Sequence, residues 1–449
     1  MYRLKKYQNL DFLIMLLFFF INFHILRVIN IYFGLITYLL YSLIFFSIFI
    51  YKEKIDNKAS KSLVFITTCI FIIYFIFLNY SLLADFNVKS KIDWMYLGKI
   101  NFTYPLVIIL ILHVQKIIYF KNLISVYLLF NILSALFLLG SVFFDNNSFI
   151  QNQYFSFKIR DGLERYSTLY GSVAQTGYSL SIPLIISLMM KIKNNYKIII
   201  LTILCIGATL SLSRSGYYNI FLSFLMYTLF FPDSYKNKLQ FLTLCLCSVF
   251  VLTPIILILF GLFDYYNHFL FTLFKINIIG VDYSLAVNPP VFNNFYDRVF
   301  YSLFNDLLSI AKNNFTAVNQ IIFGVGYKGL GISLGMFQSS SNIYIHNGIY
   351  EILISGGIVF FLLFIFLMVS AIYKLFKYDL SIANNESRYF NRLFIASIIT
   401  IFINLMLGAS IIHPNLISFF WMIISYVIIV EKNNYVFKKE VNLTGGYEK

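Results

Sequence analysis

Five side chains outside the apolar segments of this 449-residue chain could do chemistry: Arg160, Arg165, Arg214, Arg298 and His346. Arg214 is the most unusual. It lies in LSLSRSGYYN, flanked by hydroxyl residues and Gly216 and held between two apolar runs. A cation there must either meet an anion or face water, and guanidinium suits a phosphate or diphosphate because its planar fork matches the anion's oxygens. An arginine snorkelling to the membrane interface is the plainer alternative, and sequence weighs the two equally. Arg160 and Arg165 lie in FSFKIRDGLERYSTLYGSVAQTGYSL. His346, in YIHNGIYEILISGG, precedes an apolar helix whose N-terminal dipole favours a neutral imidazole able to accept a proton. A lone histidine near a helix start is more often structural than catalytic.

Arg298 belongs to a segment with helical amphipathic spacing. Taken as a helix, 296–311 places Val299, Phe300, Leu303, Leu307 and Ile310 on one face and Arg298, Ser302, Asn305 and Ser309 opposite. This predicts an interfacial helix with Arg298 pointing away from lipid, a solvated polar face without ligand being the competing reading. Nearby, GVGYKGLG contains a G-x-G-x-x-G spacing at Gly324, Gly326 and Gly329. It follows no strand of a βαβ unit and has no acidic residue placed for a ribose, so it is read as a turned backbone rather than a dinucleotide site. The sequence has no paired histidines, D-x-D or Cys/His cluster outside the spans, and no metal or other cofactor is expected.

The elements that must position these residues are membrane spans. The chain is 60% hydrophobic and 12% charged with mean hydropathy +0.79, values a soluble protein of this length could not reach without a large exposed apolar surface. Apolar runs near 10–26, 31–50, 62–82, 100–119, 123–144, 172–190, 197–213, 216–231, 239–262, 348–373, 393–411 and 414–430 predict twelve transmembrane helices in a single integral membrane domain over 1–449. Asn, Tyr, Ser and Pro183 interrupt several of them, as in helices lining a groove. Cys69, Cys205, Cys245 and Cys247 all fall within these runs, so no disulfide framework is expected.

Charge gives the orientation. The net charge of +15 is scattered through short loops rather than gathered in a stripe, which argues against nucleic acid. With both termini cytoplasmic, the inner segments carry 22 of the 34 Lys and Arg in about 85 residues, and roughly 140 outer residues carry the rest. That bias is about threefold per residue in the direction the positive-inside rule requires. Residues 263–347 then form one large external, periplasmic loop between spans nine and ten. The break falls after span nine and outside the cell, unlike the cytoplasmic linker between two six-span transporter halves.

Several motifs together resemble a known family. RYSTLYGSVAQTGYSL, SLSRSGYY, the D-R-V-F helix followed by IIFGVGYKG, and HNGIYEILISGGIVFFLLF are similar in kind and order to segments of bacterial O-antigen polymerases and O-antigen ligases. The likeness covers roughly residues 160–370. It implies a membrane-embedded, all-helical glycosyltransferase of the GT-C type in the bacterial inner membrane, metal-independent, with a large external loop closing over the site. It also implies roles: Arg214 and Arg298 on the diphosphate of an undecaprenyl-linked donor, His346 as general base near the acceptor, and Arg165 on diphosphate or glycan.

Arg160 rivals Arg165, because Arg160 and Gly171 satisfy an R-x10-G spacing seen in some polymerases, whereas Ser309 stands where a second such spacing from Arg298 needs glycine. Asp161, Glu164 and Asp297 are alternative bases. The expected function is polymerisation of O-antigen or a related surface polysaccharide, by transfer of the growing glycan from undecaprenyl diphosphate to the next lipid-linked unit. An O-antigen ligase acting on lipid A–core, and a flippase or exporter of lipid-linked oligosaccharide, are the alternatives. Expected partners are the lipid-linked oligosaccharide, the bilayer, and a flippase and chain-length regulator of the same pathway.

Overall fold

The structure is a computed structural model describing residues 117–143, 158–160, 163–165, 176–190, 193–231, 235–279, 322, 348–381, 385–409, 415–416, 419–428 and 430–431. The spans expected at 10–26, 31–50, 62–82 and nearly all of 100–119 lie outside these residues, as do the amphipathic segment 296–311, Arg298 and His346. What is described is helical apart from one small hairpin. α1 (Ile117–Phe143) is followed by two short antiparallel strands, β1 (Lys158–Arg160) and β2 (Leu163–Arg165), pairing Lys158 with Arg165 and Arg160 with Leu163. Then come α2 (Thr176–Ser179), α3 (Ser181–Met189), α4 (Asn194–Leu210), α5 (Arg214–Phe230), α6 (Tyr235–Cys247), α7 (Thr253–Leu259) and α8 (Phe263–Phe274). The last three are α9 (Gly348–Ser381), α10 (Asn385–Leu407) and α11 (Phe419–Ile428).

Among the described residues, four helical stretches are long and apolar enough to cross a membrane: Leu123–Val142, Asn237–Leu259, Gly357–Asp379 and Arg388–Leu407. Shorter apolar helices occupy Thr176–Met189, Asn194–Leu210 and Phe419–Ile428. The architecture is that of an all-α membrane protein, with a core drawn from α3, α4, α5, α10 and α11 and an apolar face on α6 and α7 exposing Leu239, Leu244, Phe250, Ile255, Ile258 and Leu259. A surface of this composition is stable only against lipid tails or another apolar partner.

Breaks in the helices have identifiable causes. Pro183 has no N–H to donate to the Ser179 carbonyl and its ring crowds that oxygen, so the helix is interrupted at Leu180. The freed carbonyl is taken up elsewhere: Asn415 Nδ2 donates to it at 2.6 Å and to Asn131 Oδ1 at 3.1 Å. Pro254 acts in the same way one turn after Phe250, and the preceding Ser248–Leu252 turn is a π-helix. In α9, Gly357 adopts φ 71°, a left-handed conformation that only glycine takes without strain, and kinks the 34-residue helix. Where α1 crosses α4, Gly207 faces Ala135, and a Cβ on Gly207 would fall 2.9 Å from the alanine methyl. Small residues of this kind let membrane helices approach closely.

At one end of the bundle, described ionic groups meet in pairs. Asp379 accepts from Arg392 at 3.0 Å and lies 3.9 Å from Arg388, and Lys374 meets Glu431 at 2.6 Å. Lys197 is buried there, donating to the Leu188 carbonyl at 3.2 Å with its ammonium over the rings of Phe241 and Phe231. It thereby satisfies one of the orphan carbonyls in the last turn of α3.

Candidate functional site

Arg214 begins α5, and the turn that presents it is built by serines. The Ser211 hydroxyl donates to the Ala208 carbonyl at 2.7 Å and accepts from the Ser213 amide at 3.2 Å, closing the chain on itself as α4 ends. Leu212, between them, sits fully buried at φ 47°. A leucine held there costs about 1–2 kcal/mol, so the buried surroundings must over-determine the turn. Ser213 and Ser215 share a 2.6 Å hydrogen bond across Arg214. The Arg214 side chain itself is half-buried, with Nη1 out of contact with solvent.

This turn is clamped by two glycines. A Cβ on Gly177 would collide with the Gly216 amide nitrogen and Ser215 Oγ, and one on Gly216 would meet the Ala208 carbonyl and Ser211 Oγ, both at 3.0 Å. Backbone therefore packs on backbone where α2 meets α5, and Asn219 Nδ2 reinforces the junction by donating to the Gly177 carbonyl at 3.3 Å. The next residue, Tyr178, reaches the other way and donates to the Leu407 carbonyl at the end of α10, 2.6 Å distant. Just beyond, a Cβ on Gly348 would collide with the Ala409 carbonyl. The starts of α2, α5 and α9 and the finish of α10 thus meet at one end of the bundle.

The long segment after Leu262 opens with helix rather than loop. Gly261, at φ 69°, lets the chain turn sharply out of α7, and α8 follows for 12 residues, about 18 Å and too short to cross a membrane. Its Tyr265, Tyr266, His268 and Phe269 are buried. His268 Nδ1 lies 3.1 Å from the Tyr217 hydroxyl and 3.4 Å from the Thr272 hydroxyl, and Tyr217 packs edge-on to Phe269 at 5.0 Å. Tyr217 is one turn below Arg214, so α8 is fastened to the helix that carries the arginine. The neighbouring Tyr265 hydroxyl donates to the Glu164 carbonyl at 2.9 Å, holding the β-hairpin against α8. Burial first, then the Glu164 and Asp264 carboxylates, push the Tyr265 phenol well above its ordinary value, so it remains a donor.

Of the residues singled out in the sequence, Arg214 stands at this end of the bundle. Arg160 and Arg165 occupy β-strand positions at opposite ends of the hairpin, one on each strand, and the Tyr265 bond ties β2 to the same α8 that grips α5. His346 and Arg298 lie outside the described residues; Gly348, two positions after His346 in the chain, is the point fixed against Ala409. His268, whose sequence surroundings are undistinguished, is 2% exposed and hydrogen-bonded, and the signal that could have found it is its place one helix beyond the Gly261 turn. The Asn131–Asn415–Ser179 network was likewise invisible, because Asn415 is 284 and 236 residues from its two partners.

The arrangement offers an arginine at a helix N-terminus with hydroxyl groups around it, chemistry suited to an anion. Among the described residues no three His, Cys, Asp or Glu side chains gather as metal ligands would. Cys205 and Cys245 are free and buried, and Cys247 is free and exposed. Compared with protein-family models, with curated proteins and with solved structures, the chain matches none.

Proposed function

We propose that this protein polymerises lipid-linked repeat units of O-antigen or a related surface polysaccharide, acting as a twelve-span, GT-C-type glycosyltransferase of a bacterial inner membrane with both termini in the cytoplasm. The observation that carries the reading is that the Arg214 turn packs on the start of α2, which Tyr178 ties to the end of α10 beside the start of α9, since the flanking motifs of the resemblance, RYSTLYGSVAQTGYSL, SLSRSGYY and HNGIYEILISGG, include or lead into those three helices. Helix starts spread over about 170 residues of sequence lie at one end of a bundle, as parts of a single site would.

In the proposed reaction the acceptor sugar hydroxyl attacks the anomeric carbon of the donor glycan. The bond from that carbon to the diphosphate oxygen breaks, and the electron pair leaves with the lipid diphosphate. His346 takes the hydroxyl proton. Arg214 and Arg298 stabilise the charge developing on the leaving group, a task guanidinium performs without a metal because the diphosphate is already a good leaving group. Arg165 or Arg160 binds diphosphate or glycan from the hairpin side. A base with a pKa near neutrality suits the proton transfer.

The test is chain length. In a deletion strain complemented with variants, Arg214→Ala and His346→Ala each abolish extension while the protein still inserts, leaving core bearing a single repeat unit. Arg214→Lys recovers little, because an ammonium cannot donate in a planar fork. Core with no repeat at all in the deletion strain identifies a ligase instead, and normal chain length in both alanine variants overturns the residue roles.

A further inference from the structure

α8 does not leave the bundle. Its contacts with α5 advance in step: Tyr217 meets His268 and Phe269, and one turn on, Phe221 meets Phe274 with 6.2 Å between ring centres. The two helices therefore point the same way, and since α5 runs from the Arg214 turn into the bundle, so does α8. Phe274 also packs on Phe250, 6.4 Å away. Phe250 lies well before Leu259 in the stretch Asn237–Leu259, which is long and apolar enough to cross a membrane, and Phe221 lies two turns past Arg214. At 1.5 Å per residue, the far end of α8 sits about 10–13 Å below the Arg214 end of the bundle.

There the chain turns back. Lys275, at φ 61°, gives its amide to the Phe271 carbonyl at 3.0 Å and ends the helix in the left-handed conformation that reverses its course. Just beyond, the Ile278 amide donates to Asn267 Oδ1 at 2.7 Å, and Asn267 Nδ2 donates to Asn277 Oδ1 at 2.9 Å. Asn267 is buried two turns above Phe274, so by Ile278 the chain has climbed back beside it. A buried side chain gives the Ile278 amide what water gives an ordinary loop, as backbone that approaches lipid requires.

Exposure along this hairpin follows depth. Asp264, in the first turn, is exposed, and every residue from Tyr265 to Leu270 is buried against the bundle. At the tip Phe274, Ile276, Ile278 and Ile279 are 44–60% exposed. Through Phe250 this patch is continuous with the apolar face of α6 and α7, and a surface of that kind is not stable in water. Lys275 is the only Lys or Arg in 263–279, and its ammonium lies 4.7 Å over the Phe271 ring, one turn back toward the start of α8. A lysine at the edge of hydrocarbon takes that course, its stem among acyl chains and its charge drawn toward headgroup phosphates. We propose that residues 263–279 form a re-entrant membrane hairpin, whose tip presents Phe274, Ile276, Ile278 and Ile279 to the phospholipids of the leaflet at the Arg214 end, at the boundary between headgroups and acyl chains. A loop in water has no cause to sort its exposed side chains by depth. The opening of the segment expected to be an external loop over 263–347 belongs instead to the membrane. The inference rests on packing and stands independently of the polymerase reading.

Nitroxide accessibility of the whole protein in phospholipid nanodiscs tests it. In a Cys69→Ser, Cys247→Ser background the remaining cysteines, Cys205 and Cys245, are buried. Asp264→Cys, Ile276→Cys, Ile278→Cys and, on the apolar face of α7, Ile255→Cys are then spin-labelled singly, each at an exposed position. Collision with oxygen, which partitions into lipid, is compared with collision with a nickel chelate that stays in water. The oxygen-to-nickel ratio at position 276 is expected to exceed that at 264 by about five-fold or more and to approach that at 255, with 278 between. A second reading leaves the cysteines alone: the emission of Ile276→Trp, after subtraction of that from Trp94 and Trp421, should be quenched by phospholipid brominated on its acyl chains and not by aqueous iodide. Ratios at 276 and 278 as low as at 264, or strong iodide quenching, overturn the proposal in favour of a loop in water. Low collision with both reagents overturns it in favour of a protein cover.

Discussion

The Tyr178 hydroxyl donates a 2.6 Å hydrogen bond to the Leu407 carbonyl, joining segments 229 residues apart in the chain. Leu407 ends α10, where carbonyls lose their intrahelical donors, so the bond both caps one helix and locates another. Its neighbour Gly177 lies against the Arg214 turn on the opposite side. Two consecutive residues thus fix the geometry of the candidate site.

Gly177→Ala is expected to destabilise the protein and to misplace Arg214. The new methyl collides with the Gly216 amide and Ser215 hydroxyl, an overpacking that costs about 1–3 kcal/mol. Thermal melting in detergent reads the loss, and under the proposed function polymer length in cells should shorten in parallel. An unchanged melting temperature would contradict the close contact.

Asn415→Leu and Pro183→Ala should be non-additive. Removing the Asn415 amide leaves the Ser179 carbonyl buried without its 2.6 Å donor, at a cost of about 1–3 kcal/mol. Alanine at 183 restores an N–H able to reach that same carbonyl. The asparagine substitution should then cost roughly half as much in the Pro183→Ala background, a coupling that a double-mutant cycle on melting data measures directly.

Tyr217→Phe removes the hydroxyl 3.1 Å from His268 Nδ1 and leaves a buried imidazole nitrogen with a poorer partner. A loss of about 1–3 kcal/mol is expected. Because the pair fastens α8 to the Arg214 helix, limited proteolysis should cut near residues 275–279 faster than in the unaltered protein. Equal cleavage rates would show that α8 is held by other contacts.

Tyr265→Phe should loosen the β-hairpin, and the pH dependence of that tie has a definite sign. The phenol is raised above its ordinary value by burial and by two carboxylates. Its contribution is therefore fully present below the usual tyrosine pKa of about 10 and is lost only as pH rises through the higher folded value. Between pH 6 and 9 the stability difference between Tyr265→Phe and the unaltered protein should stay constant. A difference that fades across that window would place the phenol's titration within it.

The spans were legible because membrane helices declare themselves by apolar length. The runs at 123–144, 239–262, 348–373 and 393–411 reappear in α1, α6–α7, α9 and α10, which hold the four described stretches long and apolar enough to cross a membrane, and those at 197–213 and 216–231 as the shorter helices α4 and α5, with ends shifted by up to eight residues. The break at Pro183 was legible too, since a missing N–H can be read from one residue. The hairpin was overlooked although Asp161-Gly162 between KIR and LER is a strong local turn signal; three-residue strands simply bury too little to show a period. What could not be read was proximity. Nothing in the sequences around Gly177, Gly216 and Gly348 says that glycine is there to admit another segment's backbone, and His268 and Asn415 acquire meaning only from partners 51 and 236 residues away.

Gly348, seated against the Ala409 carbonyl, and α8, joined to α5 through His268, are each fixed to the bundle. Between Gly348 and the bend at Gly357 runs a rod of nine residues, about 13 Å long, so a 10° swing at the bend would carry Gly348 about 2 Å. The carbonyl that forbids even a methyl group on Gly348 blocks that swing toward α10. Mechanically the glycine bend is therefore a joint with a stop, closed toward Ala409 by backbone rather than by a side chain that could move aside.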